Sequence, residues 1–161
     1  MSGRGLDQRD SFYAGQVSAE AAELLEAAMQ SYGDTARAEA LLHEAEILAP
    51  DALTVCFSQY KFFFYKGLLA QAEQAVRRAL CLSARQSGFV NEYTELTLDS
   101  ADWHCHDSPA HFYLFSLKAL AFIRLRQGDT QTATTILNKI SELDHHDTVG
   151  SSVIGSLVAA V

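Results

Sequence analysis

Proline is scarce in this sequence, with Pro50 and Pro109 the two that occur in 161 residues. Proline interrupts helices because it lacks an amide donor and clashes with the preceding turn, so its scarcity leaves room for long helices. Alanine and leucine are abundant instead, and both lose little side-chain entropy in a helix. The composition therefore predicts an all-α protein, and the length is sufficient for one domain with a buried core.

Basic residues are also few: 12 lysines and arginines face 20 aspartates and glutamates, which gives a formal net charge of −8. A nucleic-acid binder needs a basic surface to neutralise phosphates, so we expect no nucleic acid as a partner. No run approaches the roughly 18 apolar residues of a membrane span, and the first residues lack a signal-peptide pattern. We therefore expect no membrane association and a cytoplasmic protein.

Motifs of catalysis are missing as well. The sequence contains no glycine-rich phosphate loop, no nucleophile elbow and no paired carboxylates on a recognisable scaffold. Cys105 stands between two histidines, but neighbours in sequence rarely acquire the geometry of a nucleophile and its base. We expect no catalytic residues, no cofactor and no enzymatic activity.

An internal repeat is the strongest signal in the chain. Gly33 and Gly67 are separated by 34 residues, and a third glycine, Gly128, follows 61 residues later. Three further positions keep the same offsets from these glycines: Ala38, Ala72 and Ala133; Leu42, Val76 and Leu137; Ala45, Ala79 and Ile140. In each copy an apolar helical segment runs up to the glycine and a second one follows it.

This pattern resembles the tetratricopeptide repeat family, whose period is 34 residues. Gln59 and Arg124 depart from it, since the family usually has an apolar residue there. The resemblance implies one α-solenoid domain at 19–161 after a partly ordered lead-in at 1–18. Three helical hairpins are predicted at about 19–52, 53–84 and 114–147. A helical insert at about 85–113 separates the second hairpin from the third, and a C-terminal capping helix follows at about 148–161.

The family resemblance also implies a function, because the first helix of each repeat would line a concave groove for a partner segment. An adaptor, an assembly factor or a chaperone would bind another protein in this way. The implied groove residues are Glu20, Glu23, Phe57, Lys61, Phe64, Tyr65, Phe115, Lys118 and Phe122. Aromatic residues often dominate interface energies. The run Phe62 to Tyr65 could instead belong to the core, with Phe63 as the expected core residue.

The insert is predicted to contain a short amphipathic helix, since Phe89, Tyr93 and Leu96 recur at helical spacing. It ends in a histidine-rich stretch before Ser108 and Pro109, which together indicate a helix start. His104, His106 and His111 suggest an alternative function as a small metal-binding accessory protein, because imidazole is a good zinc ligand. The competing interpretation is a solvated turn that Trp103 anchors to the helices.

The tail is predicted to form a final helix with Val153, Ile154, Leu157, Val158 and Val161 on one face. Helical arrays need an element that covers their last exposed seam, so we expect a capping helix. A homodimer contact through this helix is the alternative, because few of its residues are strongly polar.

Overall fold

The computed structural model describes residues 17–159, and within them it holds seven α-helices, two short 3-10 helices and no strand. The all-α prediction is confirmed. The predicted lead-in lies outside the described residues except for its last two, and so does Val161. The α-helices are α1 (Ala19–Gln30), α2 (Thr35–Leu48), α3 (Leu53–Tyr65), α4 (Leu69–Ser87), α5 (Pro109–Arg126), α6 (Thr130–Leu143) and α7 (Ser151–Ala159).

The chain divides into two compact units, Met1–Ala75 and Val76–Val161. The sequence predicts a single domain, whereas this division falls inside helix α4. The first unit therefore holds α1 to α3 with the beginning of α4, and the second unit holds the remainder.

Four helices begin at a polar side chain that accepts a hydrogen bond from the first turn. Ser18 Oγ accepts from the backbone N–H of Ala21 at 3.2 Å, and Asp34 Oδ1 accepts from that of Arg37 at 3.2 Å. Ser108 and Asp129 cap α5 and α6 in the same way. Such caps satisfy amide groups that have no partner inside the helix. The predicted helix start at Ser108 is confirmed.

Two of the three repeat glycines end their hairpin's first helix in the predicted left-handed conformation. Gly67 has φ of +75° and Gly128 has φ of +86°, values that glycine adopts without a Cβ clash. Gly33 is different, because its φ is not positive. Helix α1 closes through Ser31, whose N–H donates to Ala27 and Ala28, and this turn requires no left-handed residue.

In the first unit, α1 packs on α2, α2 packs on α3, and α1 also contacts α3. Gln59, a departure from the family pattern, is buried, and its Nε2 donates to Glu46 Oε2 at 3.1 Å, so its polar group is satisfied. The core includes two of the repeat-aligned alanines and consists of Leu25, Ala28, Ala38, Leu42, Ala45, Val55 and Phe62. Small residues at these positions allow the helices to approach closely.

In the second unit, α5 packs on α6, α6 packs on α7, and α5 also contacts α7. Arg124, the other departure from the pattern, lies on α5, and its Nη1 is 3.6 Å from the Asp129 carboxylate. The repeat-aligned residues Ala133, Leu137 and Ile140 are buried on α6. The largest fully buried side chains of this unit are Trp103, Tyr113, Phe112, Leu114, Leu117, Ile123, Ile136, Ile140, Leu143, His111 and Val76.

The insert differs from the prediction, because no α-helix forms around Phe89, Tyr93 and Leu96. Helix α4 continues to Ser87 and ends at Gly88, whose φ is +85°. Two 3-10 helices follow, Tyr93–Glu95 and Leu98–Ser100. The Ser100 hydroxyl accepts from the Thr97 N–H at 2.9 Å, and Thr97 Oγ1 accepts from the Asp99 N–H at 3.3 Å. These local polar contacts keep the turn short.

Trp103 anchors the insert to the second unit. Its side chain is 2% exposed, and its indole Nε1 donates to the Thr97 carbonyl at 2.9 Å. Its ring centroid lies 5.4 Å from that of Phe89, which also meets Tyr113 edge to face. The burial of Leu96 adds a second apolar attachment. The anchoring role predicted for Trp103 therefore agrees with the structure.

Candidate partner-binding groove

A groove of about 490 Å³ lies between α1 and α3 of the first unit. We call it the α1–α3 groove. The residues on each helix recur every three or four positions, so they share one helical face. The lining residues are Val17, Ala22, Leu25, Glu26, Met29, Gln30, Thr54, Phe57, Ser58 and Lys61.

A smaller pocket of about 100 Å³ adjoins this groove. It shares Met29, Ser58 and Lys61 with the groove. It adds Tyr32, just after α1, and Phe62 and Tyr65 near the end of α3, so it lies toward the C-terminal ends of these two helices. We call it the Tyr32 pocket. Its lining residues are Ala28, Met29, Tyr32, Leu42, Ser58, Lys61, Phe62 and Tyr65.

Aromatic rings line the Tyr32 pocket, and a lysine ammonium lies over two of them. The rings of Tyr32 and Phe62 meet edge to face with centroids 5.8 Å apart. The Lys66 ammonium lies 3.8 Å from the Tyr32 ring centroid and 5.9 Å from that of Phe62. This arrangement offers apolar contact beside positive charge, because a cation over a ring face keeps its charge while the ring stabilises it.

The predicted groove residues of α3 are placed as follows. Phe57 and Lys61 line the α1–α3 groove, and the Lys61 ammonium lies 5.5 Å from the Phe57 ring centroid. Tyr65 lines the Tyr32 pocket and is 64% exposed. Phe64 is half-buried and lines neither cavity.

Within the aromatic run, the buried residue is Phe62 and not Phe63. Phe62 is 8% exposed and belongs to the core cluster, whereas Phe63 is half-buried and packs against it. The reason is register: Val55 and Phe62 are two helical turns apart on the face of α3 that meets α1 and α2.

On α1 the carried-over residues Glu20 and Glu23 are exposed and do not line the groove. Glu26 is the acidic residue that lines the groove. Apolar residues of α1 line it too, and the resemblance to the repeat family did not predict them. Ala22, Leu25 and Met29 follow one another at intervals of three and four. This spacing marks an apolar helix face, so periodicity alone could have identified them.

Phe115, Lys118 and Phe122 lie on α5 in the second unit and are half-buried. The Lys118 ammonium is 4.5 Å from the Phe115 ring centroid, so these two residues form a cation–π pair. Their predicted part in a groove stays a prediction.

The histidines of the insert are divided between two pairs. The His106 and His111 ring centroids are 4.9 Å apart, while the His104 ring lies 5.7 Å from that of His146. Within the part of the chain that the structure describes, no three histidine, cysteine, aspartate or glutamate residues are grouped to hold a metal ion. The arrangement thus gives the metal hypothesis for His104, His106 and His111 no support.

His111 instead takes part in a hydrogen-bonded chain at the end of α6. Its Nε2 lies 3.0 Å from Thr148 Oγ1, and the Thr148 hydroxyl donates to Asp144 Oδ1 at 2.6 Å. Because the single hydroxyl proton faces the carboxylate, the histidine Nε2–H is the group that donates to Thr148. The fully buried ring thereby links the start of α5 to the connection before α7.

This environment predicts a pH dependence of stability. Burial lowers the pKa of His111 below its ordinary value, and the charges of His106 and Lys118 lower it further, while Asp144 opposes them. The unfolded chain therefore takes up this proton at a higher pH than the folded one. The stability that the neutral His111 gives to the folded state is fully present above about pH 6.5. It is lost as the pH falls from there toward the lower pKa of His111 in the folded state.

The free energy of unfolding of His111→Gln should fall less steeply than that of the wild type between about pH 7 and pH 5. One proton accounts for a slope of at most about 1.4 kcal/mol per pH unit. Urea denaturation at several pH values measures it. His43→Gln is the matched control for the loss of a histidine, because the His43 side chain is 71% exposed. Equal slopes for wild type and His111→Gln would contradict this assignment.

The C-terminal helix covers part of the second unit. Helix α7 contacts both α5 and α6, and Ile154 is its buried apolar residue. Val153 is 64% exposed and Leu157 is 44% exposed, so these two members of the predicted face point to solvent. The predicted homodimer contact through this helix stays a prediction.

Comparison with known proteins finds a relative along nearly the whole chain. An uncharacterized 19.8 kDa protein in the nifW 5′ region of Azotobacter chroococcum mcd 1 is 27% identical over 161 residues. The alignment covers 99% of this chain and 89% of that protein, so the similarity includes both units. No family model matches the chain, and no solved structure matches it. Among the described residues, no helix has the length and apolar character needed to cross a bilayer.

Proposed function

We propose that this chain is a cytoplasmic, non-enzymatic protein-binding module that takes a segment of another protein into the α1–α3 groove. The observation that carries the proposal is the groove itself, about 490 Å³ of space between two packed helices. Its lining combines apolar side chains such as Leu25, Met29 and Phe57 with a few polar groups. Binding sites are concave and mostly apolar, with a small number of polar groups that fix orientation.

The exposure of large side chains supports the same function. Met29 is 53% exposed, Tyr32 is 43% exposed and Tyr65 is 64% exposed, and all three line the Tyr32 pocket. Methionine and aromatic residues are enriched at interfaces because they supply large contact area. Burying them against a partner would remove this apolar surface from water, which favours association.

We further propose that the helices form a tetratricopeptide-like array. Two observations support this architecture. In each unit a helix contacts both the next helix and the one after it, as stacked hairpins do. The repeat-aligned residues Ala38, Ala72 and Ala133 are all fully buried. An adaptor, an assembly factor or a chaperone would be built in this way.

A bulky side chain placed in the α1–α3 groove should weaken partner binding. Ser58 is half-buried on α3 and lines both the α1–α3 groove and the Tyr32 pocket, so Ser58→Trp would occupy the space where they meet. Partner affinity should fall by at least about tenfold, the scale on which central interface residues act. The measurement is titration of a purified partner, first captured by the wild-type chain from native cells and identified by mass spectrometry.

Ala40→Trp is the matched control, since Ala40 is exposed on α2 and lines neither cavity. It should leave affinity unchanged. Circular dichroism of both variants establishes that helix content is preserved. A partner that binds Ser58→Trp as tightly as the wild type would refute the proposed site.

A further inference from the structure

We infer that the segment bound in the α1–α3 groove is an amphipathic helix with a large apolar side chain for the Tyr32 pocket and aspartate or glutamate side chains next to it. This inference rests on the proposed function and specifies the chemistry of the partner. Three features carry it: the size of the pocket, the placement of the lysines, and the helical spacing of the groove residues.

The pocket has room for a single side chain. Its volume of about 100 Å³ is lined by apolar and aromatic groups, among them Leu42 and Phe62. A large apolar side chain that fills such a space commonly supplies much of the affinity of an interface. The partner therefore needs one large apolar residue at this end of the groove.

The positive charge of the first unit is concentrated at the same place. Residues 17–75 contain nine acidic residues but only three lysines and arginines, Arg37, Lys61 and Lys66. Lys61 lines the pocket, and the Lys66 ammonium lies over the ring of Tyr32. Lys66 forms no ion pair with any residue of the described chain. On an otherwise acidic surface, this pair of lysines should steer carboxylates toward the pocket.

The remainder of the groove suits a helix. Ala22, Leu25 and Met29 on α1 recur at three- and four-residue intervals, as do Thr54, Phe57, Ser58 and Lys61 on α3. Ala22 to Met29 covers roughly 10 Å at about 1.5 Å per residue, or about two turns. A third helix in this groove would present apolar residues from two or three successive turns. Glu26 faces the same space and favours a basic or neutral residue there.

The test is selection from a displayed library of random peptides of about 16 residues, roughly four helical turns, on the full-length wild-type chain. Enriched peptides should carry an apolar helical stripe ending in a large residue with aspartate or glutamate beside it. A synthetic pair with glutamate or lysine at those positions then measures the preference. The glutamate peptide should bind about tenfold more tightly, since two exposed ion pairs give an effect of this size.

Charge variants locate the preference. The double variant Lys61→Glu with Lys66→Glu should bind the lysine peptide more tightly than the glutamate peptide. Lys61→Gln with Lys66→Gln should bind both equally, because glutamine removes the positive charge without introducing repulsion. Arg37→Glu is the control, because it lowers the net charge by two units, as the double glutamine variant does, at an exposed position that lines neither cavity. The preference should also weaken with salt.

The possible failures differ from one another. If the enriched peptides lose binding on Ser58→Trp but show no acidic preference, or the lysine variants leave that preference intact, the partner chemistry inferred here is wrong and the groove remains the binding site. If nothing is enriched, or if the enriched peptides bind Ser58→Trp equally well, both the inference and the proposed function are overturned.

Discussion

Trp103→Ala is expected to destabilise the second unit by about 3–5 kcal/mol, the usual cost of removing a large aromatic side chain from a core. The ring is 2% exposed, and Phe89 packs against it at a centroid distance of 5.4 Å. The substitution also removes the indole donor to the Thr97 carbonyl, the hydrogen bond that ties the insert to this ring. Both losses fall on a segment with little other apolar contact, since Leu96 is its second buried attachment.

Urea denaturation followed by circular dichroism measures this loss, with Trp103→Phe as the conservative comparison. Phenylalanine keeps most of the apolar volume but cannot donate to Thr97, so it should cost about 1–2 kcal/mol. The difference separates packing from hydrogen bonding. If Trp103→Ala unfolded at the same urea concentration as the wild type, the insert would contribute nothing to the stability of the unit.

Asp144→Ala is expected to cost about 2–4 kcal/mol, because a buried carboxylate with several hydrogen bonds leaves all of its partners unsatisfied when it is removed. Asp144 is 5% exposed, and it accepts from the N–H groups of Thr148 and Val149 at 3.0 Å each. It also accepts from the Thr148 hydroxyl at 2.6 Å. Its loss would deprive Thr148 of the orientation in which it accepts from His111.

Thermal unfolding measures this effect, with Asp147→Ala as the matched control three residues further along the same connection. Asp147 also accepts two hydrogen bonds, from the N–H and hydroxyl of Ser152, but it is exposed. Water can replace these hydrogen bonds, so about 1 kcal/mol is expected there, and this includes the strain of placing alanine at the left-handed φ of +52°. If the two substitutions lowered the stability by the same amount, the burial of Asp144 would contribute nothing to it.

Helix positions could be predicted from the sequence because their signals are local. Proline near the end of α2, serine before Pro109 and glycine after α3 and α5 act through their own backbone preferences. These preferences hold whatever the helix packs against. Gly33 is the exception, since hydrogen bonds around Ser31 close that turn without a left-handed residue.

Which face of a helix meets a neighbour is less accessible from sequence. Glu23 and Glu26 are separated by less than one turn, yet only Glu26 lines the groove. The packing of Leu25 and Ala28 in the core decides which face of α1 meets the groove. A family pattern that is transferred by sequence position does not specify this packing. For the same reason the sequence predicted Phe63 as the buried ring, whereas the structure buries Phe62.

The insert could not be predicted because its structure depends on distant contacts. Phe89 and Leu96 have helical spacing, but Phe89 packs against Tyr113 and Trp103, and the Leu96 carbonyl accepts from the Lys139 ammonium at 2.9 Å. Contacts of this kind favour an irregular path over a helix of a few turns, which is marginal by itself.

Helix α4 has a practical consequence for dissecting this protein. The division between the compact units falls between Ala75 and Val76, inside a helix that continues to Ser87. A fragment cut there would end with four carbonyls that had lost their amide donors, and it would lack 12 of the 19 residues of this amphipathic helix. Expression of the amino-terminal half alone should therefore extend to Gly88, where the backbone itself ends the helix.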